Sequence, residues 1–425
     1  MDTIKYLPRI SDKLLTELLE ASGAVLVEGA KWCGKTSSAR EQSASCLYMQ
    51  DTDRRTSYMQ MVDSKPSLLL QGETPRLLDE WQDAPVLWDT VRFEVDKRQK
   101  TGQFILTGSA VPKDDEIHHS GAGRITRMRM RTMSLFESKE SNGCVSLHSL
   151  FEGMGGMRDI EGMSNLTIEQ IAFIICRGGW PASISMSPQA ALRTARSYVD
   201  AVINKDTHRV DGVDKNPDRV QLLLRSLARN ITTLATAKTI IDDVVANEIS
   251  MTEKTYTNYM NALKRIFVVE DLPAWQPSLR SKTAIRTSDK RHFVDPSIAT
   301  AVLRINPEVM LKDFEYFGFL FESLCTRDLR VYAEANDGKV YHYRDKTGLE
   351  ADMIIQLADG RWAAIEVKMG SKQIDDAAAN LLKLSEKVNT EKMGNPSFLM
   401  VLTAGEFAYC RKDGVFVVPL GCLKD

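Results

Sequence analysis

The chain has no apolar run near the ~20 residues that a membrane-spanning helix needs. Its first stretch, MDTIKYLPRISDKLLTELL, lacks the uninterrupted apolar segment of a secretory signal and reads instead as an amphipathic helix. Neither export nor a membrane partner is expected, and the expected location is the cytoplasm. The seven cysteines are scattered, with no C-x-x-C and no Cys/His pairs at zinc-ligand spacing. This excludes a disulfide framework and a zinc ribbon, and leaves reduced thiols used mainly for packing. Neither sign of charge dominates: 55 Lys and Arg against 57 Asp and Glu give a net charge of -2. A chain that coats polyanions with its whole surface is therefore excluded, though a local basic patch is not. There is no internal repeat.

What is present fits a soluble globular protein of more than one domain. At 425 residues the chain exceeds what a single core sustains. Ala24–Glu28, Leu77–Leu78, Phe104–Thr107 and Ile125–Met130 read as short strands, separated by helical stretches such as 84–100. Alternation of this kind predicts an α/β fold with a mainly parallel sheet covered on both faces. Residues 138–165, rich in Ser, Gly and Glu, read as a linker, and 167–303 read as largely helical. From Lys312 a second α/β unit follows: a helix, strands at 340–343, 351–357 and 362–367, a helix at 374–388 and a strand at 398–403. The expected division is 1–140, 141–305 and 306–425.

Gly29-Ala30-Lys31-Trp32-Cys33-Gly34-Lys35-Thr36 fits G-x-x-x-x-G-K-[ST] without a mismatch. In such a loop the glycines let backbone amides curl around phosphates, the lysine reaches the β- and γ-phosphates, and the Thr hydroxyl ligates Mg²⁺. The following helix, beginning near Ser37, offers its positive N-terminus. The preceding apolar strand supplies the right context, so ATP and Mg²⁺ are the expected cofactors. Arg76-Leu77-Leu78-Asp79-Glu80 places a carboxylate at a strand end to hold the metal (Asp79) and a second to polarise the attacking water (Glu80). Thr107-Gly108-Ser109 ends the next strand with hydroxyls suited to sensing the γ-phosphate. Arg124 offers a cation for transition-state charge.

Three strings, LLDEWQDAPVLWDTVRFEVD, FILTGSA and SGAGRITRMRMRTMSLFE, resemble prokaryotic AAA-type ATPases that carry a C-terminal domain of unknown function 4143. The resemblance runs through Arg177-Gly178-Gly179-Trp180-Pro181, Phe293-Val294-Asp295, Gly318-Phe319-Leu320-Phe321-Glu322 and Ile365-Glu366-Val367-Lys368. It implies that Asp79 and Glu80 are the Walker B pair, Thr107 to Ser109 sensor I, and Arg124 the arginine-finger position. The departures are the short strand after Pro75 and the Trp32-Cys33 pair inside the loop; neither removes a chemical group.

Residues 249–272 read as a helix-turn-helix followed by a short β run, as in a winged helix, with Arg280, Lys282, Arg286, Lys290 and Arg291 behind it. Two readings stand: a double-stranded DNA partner held by helix and wing, or a helical lid whose charges are solvated. In the C-terminal unit, Glu322, Asp352, Glu366 and Lys368 form an E…D…E-x-K pattern, with Glu350 as an alternative ligand. Glu366 and Lys368 share one strand face. With Asp352 they match the arrangement of PD-(D/E)xK nucleases, where carboxylates hold a hard cation and a lysine orients water; the family's domain resembles restriction endonucleases. The competing reading is a solvated strand face with ordinary ion pairs. Two functions follow. One is an ATPase acting on or regulated by DNA. The other is a nucleotide switch, with self-assembly or a protein partner as output and an inactive C-terminal domain.

Overall fold

The computed structural model describes residues 6–109, 121–153, 160–207, 215–247, 249–277, 288–388 and 393–425. The chain divides into two compact units. The first comprises Met1–Thr132, Ala201–Lys215 and Asn258–Val268; the second comprises Met133–Asp200, Asn216–Thr257 and Val269–Asp425. Residues 141–305 are thus shared between both.

In the first unit, α1 (Ile10–Ala21), β1 (Ala24–Glu28), α2 (Lys35–Glu41), β2 (Ser45–Tyr48), α3 (Arg55–Ser64), β3 (Arg76–Asp79), α4 (Val86–Arg98), β4 (Phe104–Gly108) and β5 (Ile125–Arg129) follow in order. The five strands form one wholly parallel sheet in the order β2-β3-β4-β1-β5. Alternation along β1 explains its position next to the middle. Val25 and Val27 pack with Leu15, Leu19, Ala39 and Ile105 on one face, whereas Ala24 and Leu26 pack with Trp88, Val91 and Leu106 on the other. Both faces are dry, as a parallel sheet requires. Strand β2 is not visible as a hydrophobic run, because of its four residues only Leu47 is fully buried.

The second unit carries a mixed seven-stranded sheet. After β6 (Val145–Ser146) come β7 (Gly162–Met163), β8 (Gly338–Arg344), β9 (Glu350–Leu357), β10 (Trp362–Lys368), β11 (Phe398–Thr403), β12 (Phe407–Cys410), β13 (Phe416–Pro419) and β14 (Leu423–Lys424). The sheet order is β7-β12-β13-β11-β10-β9-β8. β8, β9 and β10 pair antiparallel, and the Ile374–Lys387 helix connects β10 to β11, which runs parallel to it. The helix–strand–strand–strand–helix–strand order expected from the sequence is observed, opening on the Phe314–Glu334 helix. The stretch read as a linker contains β6 and the Leu147–Glu152 helix, and β6 pairs with β14. Its polar composition hides an element capped by the Ser146 hydroxyl, which accepts from the Ser149 amide.

His342, on β8, is buried, and its Nε2–H donates to the Ser288 carbonyl at 3.1 Å. Burial first, then the Lys290 charge, push its pKa down to about 4. The unfolded imidazole, near ~6.5, takes up a proton that the folded one refuses, so stability falls as pH drops from about 6.5 toward about 4. Unfolding experiments across this range should show wild type losing stability relative to His342→Gln by on the order of 1.4 kcal/mol per pH unit. Parallel curves for the two proteins would remove this assignment.

Candidate nucleotide site and a buried carboxylate cluster

The loop between β1 and α2 is built by its glycines. Gly34 has φ 104°, a left-handed conformation open to glycine, and N-caps α2. A Cβ on Gly29 would lie 2.1 Å from the Met130 carbonyl oxygen, so only glycine lets the chain leave β1 there. Lys35 is buried and donates to the Gly29 carbonyl (2.9 Å) and the Ala30 carbonyl (2.8 Å), closing the loop on itself. Arg9, just ahead of α1, braces the outside by donating to the Cys33 carbonyl at 2.8 Å and the Arg131 carbonyl at 2.9 Å. Cys33 itself is buried against Met130. Trp32, at φ 65°, is half-exposed. Lys31 pairs with Asp206, a buried residue of the short helical turn Val202–Asp206.

Parallel register brings the remaining groups to the same end of the sheet. Asp79 closes β3 opposite Thr107 of β4. Its Oδ1 accepts from the Thr36 hydroxyl at 2.7 Å and from the Thr107 hydroxyl at 2.6 Å. A carboxylate and a hydroxyl within one hydrogen bond at the loop form an all-oxygen donor set, which fits a hard divalent cation such as Mg²⁺. Glu80 follows with φ 54° and ψ 48°, a conformation rare for a residue with a side chain. Its carboxylate is held by Gln82 Nε2 and by the Ser109 hydroxyl at 3.3 Å. Burial raises its pKa, against the pull of the Lys35 charge. Each acidic residue therefore has its own hydroxyl from β4 and the loop after it: Thr107 for Asp79, Ser109 for Glu80.

Arg124 does not join this group. β1 and β5 are in register from Ala24↔Ile125 to Glu28↔Arg129, so Arg124 precedes the edge of the sheet opposite the loop. Four residue steps, roughly 13 Å of strand, separate the two edges. There Arg124 pairs with Asp96 of α4 at 2.8 Å. The arginines of β5 nearer the loop, Arg127 and Arg129, instead flank Glu28 at 3.3 and 3.9 Å. Arg9, Gln82, Asp206 and this Glu28 group were missed by sequence reasoning. Only Gln82 carried a signal, following the Asp-Glu pair.

The C-terminal pattern does assemble. Asp352 Oδ2 accepts from the Val367 amide at 2.8 Å and lies 3.6 Å from Lys368 Nζ, which also binds Glu366 Oε2 at 2.7 Å. Glu322 projects to the same place from its helix, and between it and Asp352 sits Lys290 Nζ, at 2.9 and 3.3 Å. Glu350 lies elsewhere, 3.7 Å from Arg344. The two described residues of the expected basic wing are thus internal, because Arg291 is likewise bound to Asp271 at 3.0 Å and to the Ala235 carbonyl. Arg280, Lys282 and Arg286 lie outside the described residues. Among those described, no group of three or more His, Cys, Asp or Glu is arranged to hold a metal. No helix among them is long and apolar enough to cross a membrane.

Residues of the 177–181 and 293–295 strings join a buried polar network centred on Arg327 and Asp328. Arg327, fully enclosed, binds Asp328 through Nε (2.8 Å) and Nη2 (2.7 Å), and Asp295 through Nη1 (3.3 Å). Asp295 also accepts from the Gly179 amide at 3.0 Å, and Asp328 from the Leu135 amide at 3.0 Å. Trp180 Nε1 donates to Ser297, and Arg177 pairs with Glu140.

Residues 168–309 match the model of a Domain of unknown function (DUF8612). Two curated relatives, the uncharacterized proteins Mb2031c of Mycobacterium bovis and Rv2008c of Mycobacterium tuberculosis, are each 23% identical over 372 residues, covering 84% of this chain and 73% of theirs. Among solved structures, a Walker-type ATPase of Pyrococcus abyssi aligns with 69% of this chain and 95% of its own at 13% identity and a TM-score of 0.42. The AAA+ hexamers of Thermococcus gammatolerans McrB with bound McrC align with 81% of this chain and 93% of that one at 10% identity and a TM-score of 0.20. Residues 21–139 match the AAA domain model and residues 317–423 the Domain of unknown function (DUF4143), so the chain carries an AAA domain with a P-loop at its N-terminal end and a DUF4143 domain at its C-terminal end.

Proposed function

We propose that the first unit binds ATP with Mg²⁺ and hydrolyses it, in a reducing compartment such as the cytoplasm. The observation that carries this is the Thr36 hydroxyl–Asp79 carboxylate contact of 2.7 Å beside a loop closed by Lys35. In this reading the amides of Gly29 to Ser37, including those of Ala30, Lys31, Trp32, Cys33 and Gly34, cradle the phosphates, and Lys35 turns an N–H toward them. Thr36 and Asp79 hold the metal, which when bound offsets phosphate charge. Glu80 orients and polarises the attacking water, kept in place by Gln82 and by Ser109, which reports γ-phosphate occupancy. Arg124, at the far edge of its own sheet, acts on a nucleotide only in a second copy of the chain. No disulfide joins the seven cysteines, all of which are among the described residues, in keeping with a reducing compartment.

Replacing Glu80 by Gln keeps its size and its contact with Ser109 but removes the base. Phosphate release under saturating ATP–Mg²⁺ should fall about 100-fold or more, in line with the ~10²–10⁴ that a positioned general base contributes, while ATP binding persists. Normal turnover in that variant would move the base elsewhere.

The output remains between the two readings drawn from the sequence, and Lys290 and Arg291 favour the switch. Both side chains are bound inside the second unit, which removes two of the five cations assigned to a DNA-binding wing. The measurement that separates them is turnover with and without duplex DNA at rising salt. Stimulation that fades steeply with salt supports DNA; indifference to DNA together with nucleotide-dependent oligomer size supports a protein-directed switch.

A further inference from the structure

Three acidic side chains, Glu322, Asp352 and Glu366, converge in the second unit, with Asp352 and Glu366 almost fully buried at 8% and 3% exposure. Carboxylates brought this close need cations or protons between them. Lys290 supplies one cation. It is itself 8% exposed and arrives from a ribbon fixed by backbone hydrogen bonds, Lys290 N–H to the Leu272 carbonyl and Leu272 N–H to the Lys290 carbonyl, each 2.9 Å. Its ammonium spans Glu322 Oε1 and Asp352 Oδ1. Lys368 supplies the second, between Glu366 Oε2 and Asp352 Oδ2. The remaining oxygen, Glu366 Oε1, is buried with no hydrogen-bond partner. Burial, with the Asp352 charge behind it, pushes the pKa of Glu366 up to about 8.

A divalent cation bridging Glu322 and Asp352 would need oxygens at ~2.0–2.6 Å, and the Lys290 nitrogen stands in that gap. We propose that Lys290 is the resident cation of this cluster, occupying the position a divalent ion would take, so that the domain binds no metal there and the carboxylates serve to anchor the ribbon that carries Lys290. The nuclease-like pattern of Glu322, Asp352, Glu366 and Lys368 is then a metal-free one. A charged ammonium on a strand-anchored backbone is not displaced by millimolar Mg²⁺ without breaking two buried contacts.

The test counts bound Mn²⁺ on the full chain, without nucleotide, from the loss of the free-ion electron paramagnetic resonance signal. Wild type and Asp352→Asn are expected to bind the same amount. Lys290→Ala should gain about one ion per chain, and Lys290→Ala with Asp352→Asn should lose it again, whereas Lys290→Arg should behave as wild type. Mn²⁺ binding in wild type that Asp352→Asn abolishes would overturn the proposal, as would a folded Lys290→Ala protein that gains none. Should Lys290→Ala fail to fold, the comparison of wild type with Asp352→Asn decides alone.

Discussion

Lys35→Ala is expected to raise the dissociation constant for ATP by at least about 100-fold, measured by equilibrium binding of a fluorescent ATP analogue. The lysine is buried at the mouth of the loop, where the medium is less polar than water. A unit charge ~4 Å from a phosphate oxygen is worth about 4 kcal/mol at an effective dielectric near 20. Part of that is offset by dehydration, which leaves a loss of two to three orders of magnitude. The same ammonium ties Gly29 and Ala30 together, so the variant also loosens the cradle. Lys35→Arg separates the two effects, since it keeps the charge but is too bulky to make both carbonyl contacts. It should bind more weakly than wild type and more tightly than Lys35→Ala. An unchanged affinity in Lys35→Ala would remove the phosphate loop from the binding site.

The second large effect concerns stability. Arg327 lies between two buried aspartates, and burial raises the pKa of Asp328 to about 6 even with this guanidinium and the Leu135 amide beside it pulling it down. Truncating one member of such a group strands uncompensated charge and typically costs ~3–5 kcal/mol. Arg327→Ala should therefore lower the denaturant midpoint of the second unit strongly, or prevent its folding. Arg327→Met combined with Asp295→Asn and Asp328→Asn should recover much of the loss, because neutral partners no longer need the cation. A single Arg327→Ala variant within 1 kcal/mol of wild type would contradict the network.

These two sites differ in how much of them the sequence discloses. The loop from Gly29 to Thr36 is contiguous, and each residue type is demanded by local geometry, so it is legible without any tertiary contact. Asp79 and Glu80 are less so, because an apolar run ending in two acids is commonly just a strand meeting solvent, and only its distance after the loop favours the functional reading. The strands of both units are legible locally: β1 and β11 lie where their apolar runs place them. What fails is whatever depends on register between distant segments. Arg124 reads as a cation beside its own loop until the β1–β5 register puts it at the other edge of the sheet, from which only a second copy's nucleotide is within its scope. β2 has one buried residue and no periodic signal. Lys290 looks like part of a basic surface, yet a two-bond ribbon turns it inward to residues far along the chain, and no local pattern marks that turn. Arg9 braces the loop through carbonyl groups, which leave no trace in side-chain composition.

The central claim is that the first unit uses the loop and its paired acids to bind and split ATP. Bound ATP and released phosphate, measured on the same samples of wild type and Glu80→Gln with Mg²⁺, test it most directly. Equal binding in both proteins, with phosphate released by wild type alone, is the result this account predicts; no saturable binding in either, or equal release from both, would contradict it.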